Sequence, residues 1–177
     1  MSENALRAHY TRVADESPLP VILYNIPKYM HFALSADLVA ELARHPNVIG
    51  IKDSSGVLEM LKGFLRAQDA GFSVLTGSGS GLQAGLEAGA RGGILAVSLF
   101  AAGFALEVFE AVPAGDTAAA AEAQARLAPM ANVIVAKLGV PGVKHALDVV
   151  GKVGGPTRLP LIPLTDAERA EVVAALG

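Results

Sequence analysis

Short runs of branched and aromatic residues alternate with amphipathic segments along the first two thirds of the chain. The short runs predict four strands, at residues 21–26, 48–52, 72–76 and 92–98. The segments around them predict helices at residues 3–15, 35–44, 58–70, 81–89 and 103–112. Beyond residue 112 the pattern predicts helices only, at residues 116–138, 142–151 and 165–176.

This strict alternation of strands and helices is typical of parallel strands joined by right-handed crossovers. Two architectures fit the order of elements: a small doubly wound sheet, or part of a (β/α)8 barrel. In both, residues 1–113 form four β/α units preceded by one helix, and residues 114–177 form a C-terminal helical extension. We therefore predict an α/β fold.

Composition narrows the classes of protein that fit this pattern. The chain has 177 residues, enough for one domain with a sizeable core, and 52% of them are hydrophobic. A net charge of −3 without any block of like charges gives no reason to expect a nucleic-acid partner. The chain has no cysteine, no apolar run of membrane-spanning length and no signal-peptide pattern at its start. We predict a cytoplasmic protein that does not bind membranes.

Functional residues in both architectures collect at the carboxyl ends of the strands. That rule selects a set of strand-end positions: Tyr24, Asn25, Lys52, Asp53, Ser54, Thr76 to Gly79, Val97 and Ser98. One edge of the predicted sheet therefore gathers a phenol, an amine, several hydroxyl groups and a glycine-rich turn.

Lys52 ends a strongly apolar strand, in the stretch VIGIKDSSG (48–56). A lysine in that place usually extends its ammonium group to solvent or pairs with a neighbour, here Asp53. The alternative is an amine nucleophile that forms a Schiff base with a carbonyl, since apolar surroundings favour the neutral amine. Such chemistry needs a proton relay, and Tyr24 ends the preceding strand. A tyrosine in a strand is otherwise often a core aromatic residue.

Other chemistries find weaker support. The turn TGSGSG (76–81) follows a strand and opens a helix, as an anion-binding turn would. It lacks the last glycine of the dinucleotide fingerprint and the lysine of a P-loop, so a turn that lets substrate approach the backbone, or a plain tight turn, fits better. The four histidines are scattered without ligand spacing. We predict no metal and no cofactor.

Several of these stretches resemble the dihydrodipicolinate synthase and N-acetylneuraminate lyase family of class I aldolases. They are LYNIP (23–27), IGIKDSSG (49–56), TGSGSG (76–81), GGILAVS (92–98) and GVPGVKHALDVVGKVGGPTRLPLIPLT (139–165). The resemblance covers essentially the whole chain in the right order. The separation of Tyr24 and Lys52, 52 − 24 = 28 residues, is also the one that the family uses.

The resemblance implies a barrel enzyme that cleaves or forms a C–C bond with pyruvate as product or donor. Lys52 matches the family's Schiff-base lysine, and Tyr24 matches its proton-relay tyrosine. Gly77 and Ile94 match backbone positions that line the substrate pocket. These roles are what the family comparison implies for this chain.

Several features favour the 4-hydroxy-2-oxoglutarate aldolase branch over dihydrodipicolinate synthase proper. Dihydrodipicolinate synthases usually carry an arginine five residues after the relay tyrosine, and here that place is Tyr29. Ser54, two places after the lysine, resembles the aldolase branch, as do the GVPGVK and GGPTR runs. The predicted reaction is retro-aldol cleavage of a 4-hydroxy-2-oxo acid, with Ser54 among the substrate-binding residues.

The resemblance covers only the fifth to eighth strands of the family barrel and its terminal helices. The family's G-T-T-G-E carboxylate-binding loop and the second tyrosine of its relay have no counterpart in these residues. A half-barrel alone would expose two sheet edges and much apolar surface. We therefore expect a homo-oligomer or a partner half-barrel, with a catalytically inactive fragment or assembly partner as the alternative.

Overall fold

The computed structural model describes residues 1–177, which form two compact units. The first unit comprises residues 1–78 and 84–94, and the second comprises residues 79–83 and 95–177. The domain boundary predicted at residues 113/114 stays a prediction, because compact units need not be separate domains. None of the helices combines the length and the hydropathy needed to cross a bilayer.

The first unit is built on one sheet of four parallel strands in the order β1-β2-β3-β4. The strands are β1 (Val21–Asn25), β2 (Val48–Asp53), β3 (Ser73–Thr76) and β4 (Gly92–Gly93). The register of β1 and β2 places Tyr24 beside Lys52 and Asn25 beside Asp53. The predicted α/β class with parallel strands is therefore confirmed.

Five helices accompany the strands in the first half of the chain. They are α1 (Glu3–Glu16), α2 (Pro27–Met30), α3 (Ala36–Leu42), α4 (Leu58–Leu65) and α5 (Leu82–Glu87). Helix α3 begins where predicted, because the Ser35 hydroxyl accepts a hydrogen bond from the Leu38 N–H at 3.1 Å. Ser2 caps α1 in the same way, accepting from the Ala5 N–H at 3.3 Å.

The core of the first unit lies on one face of the sheet, which α1, α3 and α4 cover. Leu23, Ile51 and Val74 supply its strand side chains, and residues such as Leu38 and Phe64 supply its helix side chains. Because successive side chains of a strand point to opposite faces, the residues between these positions lie on the other face. We call the two faces the covered face and the open face.

The second unit is helical. Its elements are α6 (Ser98–Ala114), α7 (Thr117–Met130), a π-helix (Ala131–Lys137), α8 (Gly139–Val149) and α9 (Asp166–Leu176). The predicted helix at 116–138 changes from α to π geometry just after Pro129, which has no N–H for the α-helical ladder. Gly142 lets α8 approach the π-helix, since a Cβ there would lie 2.6 Å from the Ile134 carbonyl oxygen.

Several predicted bounds are wrong, among them the end of α4, which lies at Leu65 instead of residue 70. Strand β4 ends at Gly93, and α6 begins at Ser98, so Val97 and Ser98 precede or start a helix instead of ending a strand. Residues 94–105 are apolar almost throughout, and in such a run periodicity does not distinguish the end of a strand from the start of a helix. The single-turn helix α2 was not predicted; it begins at Pro27, whose fixed φ suits a first helical position.

Candidate active site

Beyond the carboxyl ends of three adjacent strands, the next residue of each is still hydrogen-bonded to the neighbouring strand. The backbone N–H groups of Ser54, Gly77 and Ile94 donate to the last carbonyl group of the preceding strand, at 2.8, 2.6 and 2.9 Å. Each of these residues directly follows β2, β3 or β4. Three sequence-predicted positions are therefore brought to the same edge of the sheet, next to the ends that carry Tyr24 and Lys52.

Tyr24 and Lys52 lie side by side on the open face. Lys52 Nζ lies 4.3 Å from the centroid of the Tyr24 ring, so the amine packs against the ring and not against the phenol hydroxyl. The Tyr24 side chain is 41% exposed, and that of Lys52 is half-buried. Tyr24 is thus not a core aromatic residue.

Asp53 does not pair with Lys52. The Asp53 carboxylate is buried on the covered face, where it accepts a hydrogen bond from the Asn25 amide at 2.7 Å. The two side chains diverge because neighbouring strand residues point to opposite faces of the sheet. Lys52 Nζ forms no ion pair or hydrogen bond within the chain and packs against the Tyr24 ring.

Gly77 packs directly against the side chains of β2. A Cβ at Gly77 would lie 1.9 Å from Ser54 Oγ and 2.9 Å from Lys52 Cε. Only a residue without a side chain leaves these two groups where they are. The structure therefore brings Lys52, Ser54 and Gly77 into one contact, next to Tyr24.

The side chains of Ile94 and Tyr29 have no described contact with Lys52, Tyr24, Ser54 or Gly77. Ile94 joins the edge through its backbone, and its side chain is 46% exposed. Tyr29 is exposed and its ring faces Lys28, whose Nζ lies 5.5 Å from the ring centroid. The position five residues after Tyr24, where dihydrodipicolinate synthases usually carry an arginine, therefore holds an exposed tyrosine.

Two side-chain contacts that the sequence did not predict stand out in the structure. The Asn25–Asp53 contact has a signal in the sequence, since each residue follows one of the predicted catalytic pair. Gln124 has no such signal: its side chain joins the glycine-rich turn, donating to the Gly79 carbonyl at 3.0 Å and accepting from the Gln83 N–H at 2.8 Å. Only the tertiary fold reveals that contact.

The residues of the chain form no group of three or more histidine, aspartate or glutamate side chains that could hold a metal ion. The polar groups at the edge are an amine, a phenol and a hydroxyl, all directed to one side. Such groups can form a covalent bond to a carbonyl compound and move a proton, which is the chemistry of a class I aldolase.

Comparison with known proteins places this edge in a family. Residues 1–177 match the dihydrodipicolinate synthetase family. A 4-hydroxy-tetrahydrodipicolinate synthase from Exiguobacterium sp. is 33% identical over 175 residues, which are 99% of this chain and 60% of that protein. A dihydrodipicolinate synthase structure from Bacillus anthracis superposes with a TM-score of 0.93 at 29% identity, covering 99% of this chain and 60% of the other.

A third comparison concerns a complex. The chloride-inhibited dihydrodipicolinate synthase from Acinetobacter baumannii, solved with pyruvate, superposes with a TM-score of 0.91 at 30% identity, over 99% of this chain and 60% of that one. The chain belongs to the dihydrodipicolinate synthetase family. It spans about 60% of the length of these relatives, and its sheet and helices form part of a (β/α)8 barrel with a C-terminal helical extension. The predicted family and fold are confirmed.

Proposed function

We propose that this chain carries the Schiff-base centre of a class I aldolase that acts on 2-oxo acids. Lys52 is the nucleophile and Tyr24 is the proton relay. Ser54, Gly77 and Ile94 bind the substrate, Ser54 through its hydroxyl group and the other two through the backbone. The proposal agrees with the family of the chain and with the pyruvate complex of the Acinetobacter relative.

One observation carries the proposal. Lys52 Nζ, Tyr24 Oη and Ser54 Oγ have no hydrogen-bond partner within the chain, although they lie at adjacent strand ends on one edge. A purely structural lysine would be expected to extend into solvent or to pair with a carboxylate. Lys52 is half-buried against the Tyr24 ring, and the nearest carboxylate along the chain is turned away in the Asn25 contact. Three uncommitted polar groups at one edge are available to a ligand.

The proposed reaction is retro-aldol cleavage of a 4-hydroxy-2-oxo acid. The neutral Lys52 amine attacks the C2 carbonyl and water leaves, which gives a ketimine. Tyr24 relays the proton of the 4-hydroxyl group as the C3–C4 bond breaks, taking it up while it passes its own hydroxyl proton to the substrate carboxylate, and the bonding electron pair moves into the protonated imine. The same relay supplies this proton when C3 is protonated. An aldehyde departs and an enamine remains. Protonation at C3 and addition of water then release pyruvate and restore the amine.

The test is reduction of the chain with borohydride in the presence of pyruvate, followed by mass spectrometry of its peptides. We expect a reduced pyruvyl adduct on Lys52 and none in the Lys52→Ala variant. Lys62→Ala is the matched control, because Lys62 pairs with Glu59 on α4 at 2.8 Å and has no part in the proposed site. It should form the adduct as the unmodified chain does.

An unmodified Lys52 in folded, soluble protein would contradict the catalytic proposal. That result would support the alternative, an inactive member of the family or an assembly partner. An adduct spread equally over several lysines would also contradict it, because it would show chemical reactivity of amines without a site.

Dihydrodipicolinate synthesis is the second candidate reaction, and the names of the relatives favour it. Tyr29 favours the aldolase, since it stands where the resemblance places a carboxylate-binding arginine. Two assays separate the reactions: release of pyruvate from a 4-hydroxy-2-oxo acid, and formation of 4-hydroxy-tetrahydrodipicolinate, the product after which the relatives are named. We expect the first to exceed the second. Tyr29→Arg should narrow the difference.

Assembly belongs to the proposal as well. The open face exposes Ile22 and Tyr24, and β1 and β4 each have only one neighbouring strand in the sheet. Unpaired strand edges beside exposed apolar side chains favour association with another chain. We expect light scattering after size-exclusion chromatography to show a mass above that of one chain, and a monomer over the whole concentration range would contradict this.

A further inference from the structure

The covered face holds two buried polar side chains directly behind the proposed site. Asn25 follows Tyr24 along β1, and Asp53 follows Lys52 along β2. The register of the two strands places Asn25 directly beside Asp53, as it places Tyr24 beside Lys52. Asn25 is 1% exposed and Asp53 is 3% exposed. Buried amide and carboxylate groups persist only when hydrogen bonds replace the water that they lose. Their partners therefore show what the pair holds together.

The Asn25 amide connects β1 to three other parts of the first unit. Its Nδ2 group donates to Asp53 Oδ1 at 2.7 Å, across the sheet. The same nitrogen lies 3.2 Å from the sulfur of Met60 in α4. Its Oδ1 atom accepts from the Leu34 N–H at 3.0 Å, just before α3. The amide thus fixes the end of β1 relative to β2 and to the helices on the covered face.

The Asp53 carboxylate holds the turn that follows β2. Oδ1 accepts from the Ser55 N–H at 3.1 Å, and Oδ2 accepts from the Ser55 hydroxyl at 2.7 Å. The Ser55 hydroxyl in turn accepts from the Val57 N–H at 3.1 Å. Ser54 lies inside this turn, so the position of its hydroxyl group depends on the carboxylate behind it.

The backbones of the same two residues join the site to the pair. The Asn25 carbonyl accepts from the Ser54 N–H, and the Asp53 carbonyl accepts from the Gly77 N–H. A rotation or shift of either residue would therefore move Ser54 or Gly77 as well as the preceding side chain, Tyr24 or Lys52. An apolar pair of equal size would keep these backbone contacts but could not accept the side-chain hydrogen bonds from Leu34 and Ser55.

We propose that Asn25 and Asp53 are positioning residues for the Schiff-base centre. Their amide–carboxylate contact keeps the ends of β1 and β2 in register, so that the Tyr24 ring, the Lys52 amine and Ser54 remain together on the opposite side of the sheet. The inference rests on the proposed function, because it assigns the pair to the same centre. Neither residue touches the substrate.

Reversal of the pair tests this role. Asn25→Asp sets two carboxylates against each other, whereas the double variant N25D/D53N restores one amide and one carboxylate. In the double variant the Leu34 N–H still finds an acceptor oxygen at position 25, and the Ser55 hydroxyl still finds one at position 53. The Ser55 N–H loses its acceptor, because the amide nitrogen that faces position 25 replaces the oxygen that it shares with Asn25 in the unmodified chain. We expect Asn25→Asp to slow borohydride trapping of pyruvate by about tenfold or more, and the double variant to recover part of that loss, because it restores the contact between the strands but not the one to the Ser55 N–H.

The maximal trapping rate and the pyruvate concentration at half-maximal rate are measured separately, at a temperature where circular dichroism shows each variant folded. A positioning role should change mainly the maximal rate. Asn47→Asp is the matched control. Asn47 precedes the other end of β2, and its amide donates to the carbonyls of Ala14, Ser17 and Leu19 at 2.9 to 3.1 Å. This variant should melt earlier and trap pyruvate at the rate of the unmodified chain.

A second measurement separates this inference from the proposed function. The rate at which an acetylating reagent modifies Lys52, relative to Lys62 in the same sample, reports the surroundings of the amine without any turnover. Asn25→Asp should change this ratio and the double variant should restore it in part, even if pyruvate forms no adduct. Normal ratios and rates in folded Asn25→Asp protein, or no recovery in the double variant, would overturn the inference.

Discussion

The two faces of the sheet are built from the same strands but differ in burial and in the hydrogen bonds of their polar groups. On the covered face, Ile51 is fully buried and Asn25 and Asp53 satisfy one another and the turns around them. On the open face, Ile22 is 44% exposed, and Tyr24 and Lys52 contact each other with their polar groups uncommitted. The difference teaches that one residue of sequence separates a group that stabilises the fold from a group that is available for chemistry.

Tyr24→Phe is the sharpest way to test the open face. The variant keeps the ring on which Lys52 packs and removes only the hydroxyl group, so stability should change by less than about 0.5 kcal/mol. Cleavage of a 4-hydroxy-2-oxo acid should slow by about 10²- to 10⁴-fold, because the proton relay is lost. Pyruvate release and thermal melting are the measurements. Normal cleavage by this variant would remove Tyr24 from the mechanism.

A matched pair of isoleucines compares burial on the two faces. Ile51→Ala should lower the free energy of unfolding by about 2–5 kcal/mol, since it leaves a cavity in the core. Ile22→Ala should lower it by about 0.5 kcal/mol or less, because the side chain is already in contact with solvent. Urea unfolding followed by circular dichroism measures both. Equal losses would show that something covers the open face in solution.

A matched pair of glycines compares the edge with the helical unit. Gly77→Ala should displace Ser54 Oγ and Lys52 Cε, and we expect pyruvate trapping to slow by about tenfold while stability falls by about 1 kcal/mol. Gly103→Ala, within α6, meets no atom within 4 Å and should be neutral or slightly stabilising. If both variants trap pyruvate at the normal rate, the close approach at Gly77 has no role in the site.

The smallest expected effect is on the pH dependence of stability, through a tyrosine of α1 on the covered face. Burial raises the pKa of Tyr10, which packs on the core from α1. The raised pKa means that the folded state holds the phenol proton more tightly than the unfolded state. Its contribution to stability is therefore complete below the ordinary phenol pKa of about 10 and is lost as the pH rises through the higher value of the folded state.

Tyr10→Phe removes this titration and should flatten the alkaline decline of stability. Melting temperatures measured from neutral to alkaline pH, in parallel with the unmodified chain, report the change. An identical pH dependence in the two proteins would show that Tyr10 titrates alike in the folded and unfolded states. The activity-related measurements should be unaffected, since Tyr10 lies away from the open face.

Much of the fold could be predicted because the spacing of hydrophobic residues along the chain differs between strands and helices. The strands that carry Tyr24 and Lys52 and the start of the helix at Ser35 are where the sequence placed them. Prediction was wrong between residues 93 and 103, where nearly every residue is apolar and no period remains. It also missed α2, whose four residues are too short to show a helical repeat.

The candidate site could be predicted only as a set of positions. Strand-end rules and the family spacing selected Tyr24, Lys52 and Ser54, but Asp53 was equally acceptable as a partner for the lysine. Which of two neighbouring residues faces the core depends on where the helices pack, and that information is not local. The contact of Gln124 with the glycine-rich turn, 41 to 45 residues away along the chain, could not be predicted for the same reason.

By itself, the sequence determined the parallel α/β class, and it selected one edge of the sheet, with Lys52 and Tyr24, as the candidate site. Only the tertiary structure decided that Lys52 lies against the Tyr24 ring, that Gly77 leaves no room beside it, and that Asp53 turns away to Asn25. The physical reason is the two-residue period of a strand. It separates the neighbours Lys52 and Asp53 in every fold, but packing alone decides which of them reaches a ligand and which is buried.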